Sequence, residues 1–511
     1  MGSRELYVVL DKPVYGPGEI AQVRVLTQGG EPESLSLSVV DYKGVVASVN
    51  LEVKTSEALE QGFQLQVPRI PGRYELLLRL GDVVLDKVAY LVVEEGELHV
   101  DRYLAFVWHN HQAPGYLPDG SYYFHWAFKH VYENELLPYS KGPYYYHAVM
   151  LDKYPKSKCT YNLSPSLLAQ WVEVLERGVT YRERRIEPES PEARVVKETL
   201  DRYRAAATRG QIDVLTSMYA HSIAGFLVEH LGAEDIVREE VEYGAEITRR
   251  VIGVEPRGVW TPEMAFTMKL VDVYSDLGLE YTVLDAKCHY EKSTGDRGSI
   301  LEPYRVKGTK GELVVFFRDT ELSNYVSFKN NFKSELHAWK SAYEFTYLIA
   351  EKLKLGGILT IALDGENWMI FSRKPPLTAV FYDKLLGYLT EMQREGYLST
   401  VTLRELVEKY PPRRVLSYVP TTSWLCGFSK WCGEVKDHEE YWARVKRVYE
   451  ELRNYEAVNG RDEKSRRARW ALWHALDSDY WWAEFWEPEY IDAWIRKAEE
   501  ELSLRTENRF L

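Results

Sequence analysis

Short apolar runs alternate with helical segments from about residue 100 to residue 403, and this rhythm limits the fold more than any other feature. Seven runs have the length and composition of buried strands, and an eighth candidate follows them. They are Tyr103–Val107, Cys159–Tyr161, Ile212–Leu215, Gly258–Trp260, Tyr281–Leu284, Leu313–Phe317, Ile358–Leu363 and Thr400–Leu403. Because repeated strand–helix units build parallel sheets, the pattern predicts an α/β fold and favours an incomplete barrel.

Two flanking regions have different patterns. Residues 4 to 97 contain short alternating runs separated by turn signals such as Pro71-Gly72, which predicts an immunoglobulin-like β-sandwich. After Pro411-Pro412 the strand signal fades, and a helical region rich in charged residues and Trp follows. A chain of 511 residues exceeds the size of a single core. We therefore expect three domains: a sandwich at 1–97, a barrel at 98–410 and a helical subdomain at 411–511.

Composition excludes several classes of protein. The formal net charge of −13 disfavours partners with phosphate backbones and anionic lipid surfaces. No N-terminal segment has the pattern of a signal peptide, and nowhere do about 18 apolar residues run uninterrupted. These features predict a soluble, cytoplasmic protein without nucleic-acid or membrane partners. The chain has only four Cys, and Cys426 and Cys432 could form a small disulfide or be two unrelated thiols.

Chemically capable side chains follow nearly every predicted strand. They are His109, His111 and Gln112 after the first, His221 after the third, Trp260 and Glu263 at the fourth, Asp285 after the fifth, Arg318 and Asp319 after the sixth, and Asp364, Glu366 and Trp368 after the seventh. Each alone is more simply a helix N-cap or a loop charge. Because the active site of such a barrel lies at the carboxyl ends of its strands, six loops together predict one site there.

Metal chemistry is the weaker alternative for this site. Neither an HExxH motif nor paired CxxC motifs occur, although His and Asp share the predicted rim. Aromatic residues make up 13% of the chain, which fits either a heavily packed core or a cleft that stacks on sugar rings. We expect a site without a metal or another cofactor.

The same residues resemble the motifs of glycoside hydrolase family 57. Five segments carry the likeness: His111-Gln112-Ala113-Pro114, Gly210-Gln211-Ile212-Asp213-Val214, Trp260-Thr261-Pro262-Glu263, Arg318-Asp319-Thr320-Glu321-Leu322-Ser323 and Asp364-Gly365-Glu366. The third and fourth are close to the family pattern. In the first, Ala113 interrupts the pattern, and in the second Asp213 replaces a Glu. The likeness covers about residues 100 to 490.

The resemblance implies a (β/α)₇ barrel with a helical subdomain that closes over the cleft. It also implies retaining chemistry on α-glucosidic bonds, with Glu263 as nucleophile and Asp319 as acid/base. The substrate-binding residues that it implies are His109, His111, Gln112, His221, Trp260, Asp285, Arg318, Asp364, Glu366, Trp368, Trp424, Asp479 and Trp481. Among these, the tryptophans are expected to stack on glucose units.

Within the family, the segment from Tyr122 to Trp171 is most similar to amylopullulanases and maltose-forming amylases. We therefore expect hydrolysis of α-1,4 links in maltooligosaccharides, cyclodextrins or starch-type glucans, with α-1,6 links also open. The alternatives are a 4-α-glucanotransferase or a branching enzyme that uses the same carboxylates. A sugar-binding protein on an inactive barrel and a zinc-dependent mannosidase or deacetylase are rivals from other classes. A homo-oligomer also stays open.

Overall fold

The computed structural model describes residues 5–28, 33–53, 60–94, 96–97 and 100–503. The strands are β1 (Glu5–Leu10), β2 (Val14–Tyr15), β3 (Ile20–Gln28), β4 (Glu33–Asp41), β5 (Gly44–Val53), β6 (Glu60–Gln66), β7 (Gly72–Leu80), β8 (Val83–Val92), β9 (Arg102–Asn110), β10 (Cys159–Leu163), β11 (Val179–Tyr181), β12 (Arg184–Ile186), β13 (Ile212–Leu215), β14 (Gly258–Val259), β15 (Tyr281–Asp285), β16 (Thr294–Gly295), β17 (Tyr304–Lys307), β18 (Glu312–Arg318), β19 (Gly357–Asp364), β20 (Ser399–Thr400) and β21 (Arg414–Tyr418).

The helices are α1 (Trp126–Tyr132), α2 (Pro143–Lys153), α3 (Pro165–Glu176), α4 (Pro191–Thr208), α5 (Ala224–Phe226), α6 (Glu234–Ile252), α7 (Lys269–Asp276), α8 (Thr320–Phe328), α9 (Glu335–Lys352), α10 (Asn367–Ile370), α11 (Pro375–Arg394), α12 (Leu403–Lys409), α13 (Ser429–Cys432), α14 (His438–Asn459), α15 (Glu463–Ala475), α16 (Ser478–Trp481) and α17 (Pro488–Glu501). None of the helices among the described residues is long and apolar enough to cross a membrane.

The first eight strands form two sheets, with orders β1-β3-β6 and β2-β8-β7-β4-β5. Their inward side chains share a buried apolar core that includes Val8, Val23 and Leu76. The sheets dock on α9: the buried Lys340 ammonium lies 2.7 Å from the Asp86 carboxylate, and the Tyr343 hydroxyl donates to the Ala89 carbonyl at 2.9 Å. This region therefore packs against the outside of the central sheet.

Parallel pairings join seven strands of the central sheet in a circuit. Strand β9 pairs with β10, β10 with β13, β14 with β15, β15 with β18 and β19 with β9. Single parallel bridges, Thr216 to Val259 and Arg318 to Thr360, complete the circuit. All seven predicted strands are present, and the short β20 pairs with β9. The α/β class is confirmed.

The sheet is mixed rather than wholly parallel. The antiparallel β17 precedes β18 through a short connection that ends at Glu312, and β21 pairs with β17. The residues of β21 lie beyond Pro411-Pro412, where the sequence pattern predicts only helices. The short connection between β17 and β18 explains why these two strands pair antiparallel, because parallel pairing needs a long crossover.

Helix α3 begins as local sequence rules predict. The Ser164 hydroxyl accepts a hydrogen bond from the Leu167 N–H, and Pro165 occupies the first helical position. Helix α7 begins only at Lys269, well after the end of β14 at Val259. The backbone of Phe266 instead pairs with Thr422, which draws the intervening residues into an extended segment next to the site.

A buried charge network fixes the C-terminal helices to the sheet's outer helices. The Arg469 guanidinium on α15 is 5% exposed and lies among three carboxylates. It donates to Glu456 on α14 at 2.7 Å, to Asp235 on α6 at 2.9 Å and to Glu239 on α6 at 3.1 Å. These contacts raise the pKa of Arg469, against the opposing effect of burial.

We expect Arg469→Met to lower the free energy of unfolding by up to about 3 kcal/mol, because it removes the buried cation and leaves the half-exposed Arg461 as the cation shared by the three carboxylates. Arg467 on the same helix is half-exposed and pairs with Glu501, so Arg467→Met should have little effect on stability. Chemical denaturation of both variants measures the difference. Equal losses in the two variants would show that Arg469 has no special role.

Candidate active site

Glu263 lies in a strained turn at the carboxyl end of β14. The backbone φ angles of Glu263 and Met264 are 56° and 49°, in the left-handed region that non-glycine residues rarely adopt. Such conformations cost about 1–3 kcal/mol each and concentrate at functional sites. The side chain is 6% exposed, so the turn holds a carboxyl group inside the protein at the rim of the sheet.

The surroundings of Glu263 act on its charge in opposite directions. Burial, followed by the nearby Asp479 and Asp364 carboxylates, raises its pKa well above the ordinary value. The Trp424 indole N–H donates to Oε2 at 2.9 Å and favours the charged form. The Ser478 hydroxyl lies 3.2 Å from Oε1. The Trp424 N–H therefore favours the carboxylate form of Glu263 against the effect of burial.

The carboxyl end of β19 supplies two more carboxyl groups, and Asp364 is the more exposed of them. Asp364 ends β19 opposite His109 of β9 and accepts a hydrogen bond from the Asn367 amide at 3.0 Å. Burial is the main reason that the pKa of Asp364 is raised, and the Asp479 carboxylate adds to it. Glu366 is buried, and burial followed by Asp364 raises its pKa strongly. Asp364 is thus a half-buried acid within electrostatic reach of Glu263.

Asp319 lies elsewhere, which corrects the predicted pairing of Asp319 with Glu263. Its Oδ1 accepts from the Leu322 N–H and caps α8, and its Oδ2 lies 2.8 Å from the Lys352 ammonium. Successive side chains of a strand point to opposite faces, and Arg318 is the one that faces the cleft. The motif therefore delivers Arg318 to the site and uses Asp319 to begin a helix.

Arg318 joins two other predicted residues. Its Nε donates to the Asp285 carboxylate at 2.7 Å, and its guanidinium lies over the Trp424 ring, 5.1 Å from the centroid. Asp285 also caps the turn after β15 by accepting from the Cys288 N–H. Asp285 is fully buried, so its contacts position Arg318 and Trp424 rather than substrate. Trp424 in turn holds Glu263.

Three histidines form a stack beside Glu263. The ring centroids of His111 and His221 are 3.8 Å apart, those of His109 and His221 are 5.0 Å apart, and the planes are within 16° of parallel. Burial and the neighbouring imidazoles hold the pKa values of His109 and His221 well below the ordinary value. Both are therefore neutral near pH 7, and each carries a single N–H.

A hydrogen-bond chain orients these rings. The Asn162 amide donates to the Leu215 and Thr216 carbonyls, so its oxygen must accept from His109 Nδ1 at 2.8 Å. His109 Nε2 is then an acceptor for His221 Nε2–H at 3.0 Å, and His221 Nδ1 accepts from the Ser478 hydroxyl at 2.8 Å. Ser478 has only one proton, so it accepts from Glu263 when that carboxyl group is protonated.

Among the described residues, three groups of side chains have ligand atoms close enough to hold a metal ion. They are His109, His111 and His221; His111, Asp477 and Asp479; and His221, Glu263 and Asp479, with ligand atoms within 4.8 Å in each group. Imidazole lone pairs lie in the ring plane, and nearly parallel stacked rings do not direct them to one point. The histidine trio is thus better arranged for hydrogen bonding than for tetrahedral ligation.

The remaining predicted polar residues border the same space. His111 Nε2 lies 3.2 Å from the Asp479 carboxylate, whose side chain is 42% exposed. The Gln112 amide donates to the Tyr144 hydroxyl at 3.1 Å. The structure thus brings His109, His111, His221, Glu263, Asp364 and Asp479 into one cluster, with Gln112 and Glu366 beside it.

Three of the predicted stacking platforms have no accessible face, which corrects that assignment. Trp260, Trp368 and Trp481 are 0%, 2% and 0% exposed. Trp260 stacks under His109, Trp368 packs between Trp108 and Phe381, and Trp481 stacks on Trp442. These buried rings pack behind the side chains of the site. Among the predicted tryptophans, Trp424 is the one that donates a hydrogen bond to Glu263.

Comparison with known proteins decides the family. Residues 105–420 match the family described as "Glycosyl hydrolase family 57". The chain belongs to this family. The match covers more than half of the chain and contains the strands and turns that carry Glu263, Arg318 and Asp364.

Relatives in family 57 have more than one activity. An α-amylase of Pyrococcus horikoshii is 22% identical over 344 residues, which are 67% of this chain and 45% of that protein. A 4-α-glucanotransferase of Thermococcus litoralis is 24% identical over 353 residues, 67% of this chain and 44% of that protein. The chain thus spans less than half the length of these relatives, and their names differ in activity.

Solved structures of family 57 enzymes share the fold. A branching enzyme from Pyrococcus horikoshii matches with a TM-score of 0.57 and 16% identity, over 78% of this chain and 88% of that one. The 4-α-glucanotransferase from Thermococcus litoralis matches with a TM-score of 0.52 and 19% identity, over 79% and 59%. At these identities the likeness establishes the fold alone.

A disulfide next to the family 57 motifs was not predicted. Cys288 bonds to Cys426, not Cys432 to Cys426, and Cys432 is a free thiol. The bond joins the turn after β15 to the loop that carries Trp424. The two cysteines are 138 residues apart, and spacing along the chain contains no signal for such a pairing.

A second buried residue missed by sequence analysis lies behind His221. Glu240 on α6 accepts from the Ala220 N–H at 2.8 Å and from the Ser222 hydroxyl at 2.6 Å. His221 lies between these two residues with φ of 56°. Glu240 therefore holds the left-handed turn that aims the imidazole at the cluster. Burial raises the pKa of Glu240 to about 8.

We expect Glu240→Gln to change how stability depends on pH. Between pH 4.5 and 8 the unfolded chain loses a proton that folded Glu240 keeps, so the free energy of unfolding falls as pH rises through this window. The fall contributed by Glu240 is on the order of 5 kcal/mol. Glu240→Gln lacks this titrating group, so its Tm should decline less than that of the wild-type protein between pH 5 and pH 8. Exposed Glu242 on the same helix gives the control Glu242→Gln, and parallel Tm profiles for all three proteins would contradict the assignment.

Proposed function

We propose that this family 57 protein is a retaining enzyme that cleaves α-glucosidic bonds through a covalent glycosyl-enzyme. The observation that carries the proposal is the buried Glu263 carboxyl group, held in a strained turn by Trp424 and placed within electrostatic reach of Asp364. A retaining mechanism requires one carboxylate as nucleophile and a second carboxyl group as acid and then base.

In this proposal Glu263 attacks the anomeric carbon while Asp364 donates its proton to the leaving oxygen. Asp364 then takes a proton from the incoming hydroxyl group, whose oxygen releases the sugar from Glu263. Burial raises the pKa of both carboxyl groups, but the Trp424 N–H favours the charge on Glu263, which leaves Asp364 as the group that begins protonated. The indole N–H of Trp424 stabilises the Glu263 carboxylate, and the neutral His109 and His221 orient the Ser478 hydroxyl beside it.

We further propose α-1,4 links in maltooligosaccharides, cyclodextrins or starch-type glucans as the substrate, with hydrolysis as the reaction. Transfer to a sugar acceptor is the second candidate, favoured by the similarity to a 4-α-glucanotransferase.

We also propose that the seven-strand circuit is a (β/α)₇ barrel. The proposed domains are the sandwich at 1–97, the barrel at 98–410 and the helical subdomain at 411–511. Pairing of β21 with β17 favours a last boundary a few residues later.

Product analysis on maltoheptaose, a cyclodextrin and pullulan tests this function. Shorter maltooligosaccharides alone indicate hydrolysis of α-1,4 links, products longer than the substrate indicate transfer, and maltotriose from pullulan indicates cleavage of α-1,6 links. Absence of all three products from folded enzyme would overturn the proposal.

Chelation separates this reaction from a zinc-dependent one on the same residues. We expect unchanged activity after exhaustive treatment with a chelator, because neither proposed step needs a Lewis acid. Loss of activity that zinc restores would instead assign the His109, His111 and His221 group to a metal.

A further inference from the structure

A small cavity adjoins the candidate active site on the side of Asp479. Its lining includes Gln112, Phe124, Trp126, Asp479, Phe485 and Glu487. Asp479 belongs to both regions, since its carboxylate also contacts His111 and raises the pKa of Glu263. A ligand that extends out of the centre past Asp479 therefore meets this cavity next.

Large aromatic rings stand open to solvent around this cavity. Trp126, Phe485 and Phe371 are 42%, 56% and 67% exposed. The rings of Phe371 and Phe485 are 6.2 Å apart and within 13° of parallel, and Trp126 stacks on Phe124 at 4.3 Å and 17°. Contiguous exposed apolar surface on a folded protein commonly marks a place where something binds.

The chemistry of the lining selects a neutral polyhydroxyl ligand. Flat aromatic faces pack against the apolar face of a pyranose, while the Gln112 amide and the Asp479 and Glu487 carboxylates offer partners for hydroxyl groups. None of the described residues that line the cavity is Lys or Arg, so a phosphorylated or other anionic ligand finds no cation there.

We propose that Phe371, Phe485 and Trp126 form an outer glucose-binding subsite, which holds sugar units of an α-glucan beyond those bound at the cleaved link. This inference rests on the proposed function. Phe371 follows α10 at the end of β19, whereas Phe485 belongs to the C-terminal region after α16. The subsite thus joins two parts of the chain across the opening of the site and gives preference to longer glucans.

Phe485→Ala and Phe371→Ala test the subsite, because both side chains are exposed enough to be removed without loss of the core. We expect each variant to lower kcat/KM for maltoheptaose by about 5- to 100-fold, by analogy with stacking on a flat ligand face. The kcat/KM for a short aryl α-maltoside should not change. Tyr42→Ala is the matched control, since Tyr42 is 90% exposed on the sandwich.

Unchanged kcat/KM for maltoheptaose would overturn the subsite. Equal losses of kcat/KM on maltoheptaose and the aryl maltoside would also overturn it, because they would show that the rings act in the catalytic centre or stabilise the fold. Calorimetric binding of maltoheptaose separates this result from failure of the proposed function. An inactive wild-type protein that binds maltoheptaose, with weaker binding in Phe485→Ala, would support the subsite and contradict the reaction. No binding by the wild-type protein would overturn both.

Discussion

Glu263→Gln is expected to lower kcat on maltoheptaose by about 10⁴-fold or more, because it removes the group that forms the covalent intermediate. Glutamine keeps the size of the side chain and still accepts a hydrogen bond from the Trp424 indole. The variant should therefore fold normally, and the loss of an ionisable group from a buried site should not lower its Tm. Initial rates and Tm values of the two proteins measure both effects.

Chemical rescue makes this test specific. In Glu263→Ala, a small anion such as azide can occupy the space left by the carboxylate and attack the anomeric carbon, so it should restore part of the activity on an activated aryl α-maltoside. The product should be a glycosyl azide of inverted configuration, which NMR identifies. Normal activity in Glu263→Gln would remove Glu263 from the mechanism altogether.

Asp364→Asn and Asp319→Asn are expected to differ sharply. Asp364→Asn should lower kcat on maltoheptaose by about 10²–10⁴-fold, the usual contribution of a general acid, and by much less on an aryl maltoside whose leaving group needs no proton. Asp319→Asn should leave both rates close to those of the wild-type enzyme, because asparagine caps α8 as well as aspartate does. The only interaction that it loses is the ion pair with Lys352.

The pH dependence of kcat/KM independently tests whether Asp364 or Asp319 is the general acid. Burial raises the pKa of Asp364, so a group with a raised pKa should define the alkaline limit of activity on maltoheptaose. That limit should disappear in Asp364→Asn and persist in Asp319→Asn. The reverse result, with Asp319→Asn inactive and Asp364→Asn normal, would restore the assignment made from the motif.

Local sequence determines much of this protein. Buried strands are apolar runs bounded by polar loops, and all seven of the predicted runs form strands of the central sheet. The rule that active sites lie at the carboxyl ends of parallel strands brings together His109, His221, Glu263 and Asp364, which are far apart in sequence. The motif around Glu263 lies within the residues that match the family.

Only the tertiary structure decides which of these side chains face the cleft. Arg318 and Asp319 are adjacent in sequence, but successive side chains along a strand point to opposite faces. Arg318 therefore lines the site, whereas Asp319 caps α8. Trp260, Trp368 and Trp481 are of the residue type that stacks on sugar rings. In the folded chain, however, packing covers both faces of each ring. Cys288 and Cys426 meet because two loops cross near Trp424. Such contacts depend on the register of strands and the paths of distant loops, which residue order does not encode locally.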